Sequence, residues 1–182
     1  MSALSSTTLR TIPGEITKLA KEVCGDFQSL GYFEKYGGMC VFTSHLLQKI
    51  FCHRGFDARV EICYMCISAF DKELVVGYSP VKQGGYLDIH AVCIVNDSAV
   101  IDFAVGSARE FIGPDFGPSF LLPYHVNPPM IARFNGEKYS VLWAIDSHHR
   151  NKICQSELAA EIEKNRLHAD DIFTEYLAFK QT

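Results

Sequence analysis

The run IHAVCIVNDSAVIDFAV, residues 89–105, constrains the fold of this chain more than any other stretch. Two apolar segments rich in β-branched residues flank the turn sequence Asn96-Asp97-Ser98, so the run reads as an antiparallel hairpin. Alternation from His90 puts Val92, Ile94 and Asn96 on one face and Ala91, Cys93 and Val95 on the other. Asp102 stands between Ile101 and Phe103 in the second strand, where a buried carboxylate without a partner is costly. His90, twelve residues earlier, falls near it on the paired strand, and its imidazole is the natural partner. A satisfied structural His–Asp pair would follow the same pattern.

Around this hairpin the period of the apolar residues changes along the chain. Ile16, Leu19, Ala20, Val23 and Phe27 recur at spacings of three and four, predicting a helix from Pro13 to about Leu30 with proline at its entry. GYFEKYGGMC then reads as a glycine-rich turn. A second helix is expected from about Met39 to Arg54, with Phe42, Leu46, Leu47, Ile50 and Phe51 on its apolar face and Gly55 as a left-handed C-terminal cap. ARVEICYMCI, ELVVGY and KYSVLWAI read as further strands. The Gly- and Pro-rich region from Gly106 to Arg133 reads as a long ordered loop. From about Ser156 to Gln181 the sequence reads as one or two helices, with His168-Ala169-Asp170 as the break. Segregated helices and antiparallel strands define an α+β class, and no linker or repeat divides residues 1–182 into more than one domain.

The 182 residues, 48% hydrophobic and 21% charged, provide ample material for a core. A net charge of -4 offers no broad basic field, which argues against nucleic acid as a partner. No apolar run approaches the roughly 20 residues that span a bilayer, so a membrane is not an expected partner. MSALSSTTLRTIPGE lacks the pattern of a secretory signal, so a cytoplasmic location is expected; a Ser/Thr-rich leader also fits export by a signal-peptide-independent route. Seven scattered cysteines suit a reducing compartment better than a disulfide framework. Cys63 and Cys66 form a CxxC, but three residues apart on a strand they point to opposite faces, so no metal site is expected there.

Cys40 differs from the other thiols in following Gly37 and Gly38 at the first turn of the second predicted helix. Free backbone N–H groups and the positive end of the helix dipole stabilise a thiolate there, and the same N–H groups could hold an oxyanion. YGGMC ahead of an amphipathic helix, then GFDARVEI, HAVCIV and IDFAVG, together resemble the core of the transglutaminase-like superfamily and its relatives, the arylamine N-acetyltransferases. The resemblance covers about residues 37–106. It implies a papain-like core in which a nucleophile helix packs on an antiparallel sheet, with additional C-terminal helices. It also implies Cys40 as nucleophile, His90 as general base and acid, and Asp102 as the carboxylate that fixes the imidazole tautomer.

Departures from that pattern bear on the reaction. The 50 residues from Cys40 to His90 are more than compact members need, so an inserted hairpin around residues 71–85 is expected beside the site. No separate lid domain is expected, which weakens a claim for acetyl-CoA, and no dense acidic cluster suggests calcium. No cofactor is expected. His45 reads as structural, His53 as a helix-end cation, His148-His149 beside Arg150 as a solvated turn, and Trp143 as core or groove wall. Gln28 and Tyr36 are equivalent candidates for an oxyanion donor. The expected activity is a thiol hydrolase (peptidase, amidase or glutamine deamidase) acting on a protein, peptide or small amide or acyl substrate through a thioester. The alternatives are an acyltransferase or transglutaminase with an amine acceptor, and a non-catalytic protein-binding scaffold. Site-resolved alkylation with iodoacetamide near neutral pH should label Cys40 fastest of the seven thiols, and preferential labelling at Cys63 or Cys66 would contradict that.

Overall fold

Helix α1, Gly14–Ser29, forms on the predicted stripe: Ile16, Leu19, Ala20, Val23 and Phe27 are its buried residues. The computed structural model describes residues 11–70, 72–78, 88–113, 116–126, 129–145 and 155–181, without the side chains at 107, 155 and 156. His148, His149, Arg150 and Cys154, and much of the segment expected as an inserted hairpin, lie outside the described residues. A short helix α2, Tyr32–Tyr36, occupies part of the stretch read as a turn, with Tyr32 and Tyr36 buried. Helix α3 runs Cys40–His53 and buries Phe42, Leu46, Leu47, Ile50 and Phe51. It closes at Gly55, whose φ of 84° is the left-handed conformation expected there.

Strand β1, Ala58–Ala69, is the backbone of the sheet. Its first half pairs antiparallel with β3, His90–Val95, from Ala58↔Val95 to Cys63↔His90. Its second half pairs with β2, Lys72–Val76, and with β7, Ser140–Ala144. Beyond β3 come β4, Ala99–Asp102, and β5, Phe120–Pro123; beyond β7 comes β6, Met130–Asn135. Every ladder is antiparallel. The β3–β4 turn carries positive φ at Asn96 and Asp97, 49° and 46°, matching the right-handed strand twist. His125, just past β5, donates its N–H to the Ile131 carbonyl in β6 at 2.8 Å. The two ends of the strand order therefore approach each other, and the sheet curls.

Curling gives the sheet two differently filled faces. Cys93, Val95, Ala99 and Ile101 join the helices in one core cluster, with Phe27, Phe42, Phe51 and Phe103. On the inner face Cys63, Met65, Val92, Ile94, Val100, Phe120 and Trp143 form a second. The C-terminal helix α5, Gln155–Phe179, lies across α3. It is continuous, so the expected break at His168-Ala169-Asp170 is absent: Ala169 is buried in the helix-side core, and Asp170 pairs with Arg166 one turn earlier and with Lys49 of α3. With neither Gly nor Pro in the segment, nothing interrupts the helix.

The region from Gly106 to Arg133 also departs from the expected loop. It contains α4, Gly106–Ile112, then β5, and β6 begins within it. Elements of seven, four and six residues separated by Gly and Pro are too short for periodicity to register. Among the described residues no helix is long and apolar enough to cross a membrane. Phe42→Ala, which empties a wholly buried site, should cost about 3–5 kcal/mol in urea unfolding. Leu167→Ala, at a side chain 52% exposed, should stay within about 0.5 kcal/mol.

Candidate active site

His90 and Asp102 belong to the inner face of the curled sheet because each shares strand parity with buried neighbours there: His90 with Val92 and Ile94, Asp102 with Val100. Each is 1% exposed. The hairpin ladder runs to Cys93↔Ile101; one step further sets Asp102 opposite Val92, which makes His90 its diagonal neighbour on the same face. The His90 Nε2–H donates to Asp102 Oδ2 at 2.7 Å. The same Oδ2 accepts the indole N–H of Trp143 at 2.8 Å, and Oδ1 accepts the Ala104 amide at 3.0 Å. Every donor the carboxylate meets is thus a fixed N–H, and the buried charge is satisfied.

Cys40 is the first residue of α3, held there by contacts on both sides. Thr43 donates its hydroxyl to the Tyr36 carbonyl at 3.2 Å, tying the first turn of α3 to the end of α2. Gly37 and Gly106 pack back to back, with the Gly106 amide bonded to the Gly37 carbonyl at 3.0 Å. A Cβ on Gly37 would sit 2.3 Å from the Phe33 carbonyl oxygen, so only glycine fits. Met39 caps α3 without a side-chain hydrogen bond, leaving the first-turn amides open to another acceptor. The thiol of Cys40 donates to the Ile89 carbonyl at 3.2 Å, and Ile89 is the residue before His90.

The structure therefore brings all three expected site residues to one end of the sheet. Burial disfavours a charged imidazole at His90, but the Asp102 carboxylate overrides it through its charge and hydrogen bond. The Cys40 side chain adds to the same effect by hydrogen bonding and charge, and the pKa of His90 is pushed up to about 10. Nε2 is committed to Asp102, which leaves Nδ1 as the nitrogen for Cys40.

The remaining thiols sit differently. Cys63 lies directly opposite His90 on β1, and burial, then the charges of Asp102 and Cys40, push its pKa well above the ordinary range. Burial also raises Cys93 and Cys66. Cys63 is buried and Cys66 half-buried, on the opposite faces expected of them. Cys52, expected in an apolar setting, is exposed in the last turn of α3, so reagent access alone does not single out Cys40.

His45 is buried on α3 with Nδ1 bonded to Gln48 at 3.2 Å, and His53 packs edge-on to Phe173. Tyr36 is packed against Phe42 in the helix-side core, while Gln28 is exposed on α1.

Two participants were not singled out by the sequence reasoning. The sequence around Trp143 marks it only as core or groove wall, and its bond to Asp102 joins residues three strands apart. Gly77 follows β2 with φ 80°, and a Cβ there would lie 2.5 Å from the His90 backbone nitrogen and 2.8 Å from its Cβ, so a bare glycine packs against the histidine's backbone. Its amide is bonded to the Asp88 carboxylate at 2.9 Å. The glycine in ELVVGY was the available signal. A cavity of about 660 Å³, lined by Phe33, Gly38, Phe103, Gly106, Arg109 and Glu110 among others, opens two residues along the chain from Cys40; neither Cys40 nor His90 lines it.

Comparisons with protein families, curated proteins and solved structures gave no match to this chain.

The raised pKa of His90 has a stability consequence with a definite sign. The protonated ring is favoured in the folded state, so its contribution is fully present below the unfolded value near 6.5, declines above it, and is gone once pH passes about 10. Melting temperature should therefore fall more steeply from pH 6.5 to 10 in the native protein than in His90→Gln. The buried thiols are common to both, so the difference between the two curves isolates His90.

Proposed function

We propose that this chain is a cysteine-dependent hydrolase of amide bonds, on a papain-like core of the transglutaminase-like kind. Cys40 is the nucleophile, His90 the base and acid, and Asp102 the carboxylate that orients the imidazole. The observation that carries this reading is the buried His90–Asp102 pair with Cys40, at the start of α3, acting on the same imidazole. An imidazole held protonated through neutral pH is the partner a thiolate requires.

In the proposed reaction the Cys40 proton already resides on His90, and the thiolate Sγ bonds to the carbonyl carbon of the substrate as the C=O electron pair moves onto oxygen. The open amides at the start of α3 are suitably placed to stabilise the oxyanion. The C–N bond then breaks, the amine leaves with the proton from His90, and a thioester remains on Cys40. Water attacks the thioester while the now neutral His90 takes its proton, the acid departs, and the Cys40 thiolate beside protonated His90 is restored. The cavity beside Gly38, floored by Phe33 and Phe103, is a suitable place for the part of a peptide or small amide that flanks the reacting bond.

Incubation with small acyl donors, with and without amine acceptors, followed by mass spectrometry, tests the reading. A transient adduct on Cys40 that turns over with water is expected, and Cys40→Ala should form none. Turnover only with amine would instead make the chain an acyltransferase, and no adduct under any condition would favour a binding scaffold.

The three residues should also separate by role. His90→Ala should lower turnover about 10²- to 10⁴-fold. Asp102→Asn should do less to turnover than loss of Cys40, but it should also lose about 1–3 kcal/mol of stability in urea unfolding. The amide has one acceptor oxygen for donors that now meet two, so either Ala104 or the His90–Trp143 pair is left unmatched.

A further inference from the structure

Asp102 Oδ2 accepts two N–H donors at nearly equal distance, His90 at 2.7 Å and Trp143 at 2.8 Å. Along a flat sheet β4 and β7 would lie about 14 Å apart, three strand spacings. The curl of the sheet closes that separation, and the indole crosses the inner face to end on the carboxylate.

We propose that Trp143 is a positioning residue, whose indole N–H fixes Asp102 with Oδ2 toward His90 and shares that oxygen's charge with the imidazole. This role rests on the nucleophile–base reading of Cys40 and His90.

The groups that face His90 come from every element packed on it. Asp102 is on β4, Cys63 is directly opposite on β1, Cys40 is on α3, and the Gly77 backbone follows β2. Among the described residues Asp102 is the carboxylate bonded to the ring, while that of Asp88, two residues before His90, accepts the Gly77 amide, so what happens to Oδ2 governs the ring. An indole N–H on that oxygen draws off part of its negative charge. With the N–H removed, the Ala104 amide still anchors Oδ1, the carboxylate stays beside His90, and Oδ2 acts on the imidazole alone. His90 then keeps its proton to higher pH. A purely space-filling role makes a different statement: Trp143 is wholly buried edge-on to Phe120, and replacing it by phenylalanine would loosen packing without moving the titration.

Trp143 is the one tryptophan of the chain, so the protein has a single indole N–H resonance in a ¹H–¹⁵N spectrum. That resonance should shift as His90 loses its proton, and the shift should vanish in His90→Asn. In Trp143→Phe the His90 ring ¹⁵N signals, identified by difference against His90→Asn, should show a larger protonated fraction at pH 10. The midpoint should move up by about one unit. Should Trp143→Phe fail to fold, biosynthetic replacement of the one tryptophan by 3-benzothienylalanine, with sulfur in place of the N–H, should give the same upward shift. An indole resonance indifferent to His90, or an unchanged or lowered midpoint in either folded variant, overturns the role. Cys40→Ala separates this from the underlying reading. Removing the nucleophile should lower the His90 midpoint, and an unchanged value there counts against the Cys40–His90 pairing alone, because neither Trp143 measurement involves the thiol.

Discussion

The Asp102 carboxylate is the constraint around which the rest of this molecule is arranged. A charge 1% exposed is tolerated only when its acceptor sites are filled, and here three N–H groups from three separate strand-end positions fill them. Those donors fix the rotamer of His90, the turn out of β4 at Ala104 and the placement of Trp143 across the sheet. Removing any one of them leaves the buried carboxylate with two donors in place of three.

Curling of the sheet is what allows this. The outer face carries small and medium side chains against the helices, while the inner face carries Trp143 and Phe120 on the side of the histidine and the carboxylate. The same arrangement needs close backbone approaches at two glycines. Gly37 lets α2 meet the start of α4 just before Cys40, and Gly77 lets the end of β2 pass over His90. One glycine lies just before the thiol and the other against the backbone of the histidine, so Cys40 and His90 are located by backbone packing rather than by long flexible side chains.

Among the thiols, environment and not residue type decides chemistry. Cys63 and Cys93 sit on opposite sides of the sheet, both held neutral by burial. Cys52 is exposed at the end of the helix that Cys40 begins, where the backbone offers carbonyls rather than amides. Among the described thiols, Cys40 alone combines partial exposure and a helix start with a place beside the His90 imidazole.

The sequence by itself determined the elements whose pattern is long enough to read. The stripe of α1, the face of α3 with its Gly55 cap, and the β3–β4 hairpin were all legible, because a repeat of period 3.6 or 2 persists over enough residues to exceed noise. The hairpin also paired His90 with Asp102, since turn position and parity suffice for residues twelve apart. Legibility ended where elements became short, as at α2, α4, β5 and β6, and where a buried Ala169 and a bridged Asp170 sustained a helix through an expected break. Only the tertiary structure decided that Trp143 meets Asp102 and that Gly77 packs on His90. Local sequence carries no information on sheet curl, and contacts between residues 41 positions apart arise only when the strand order closes on itself.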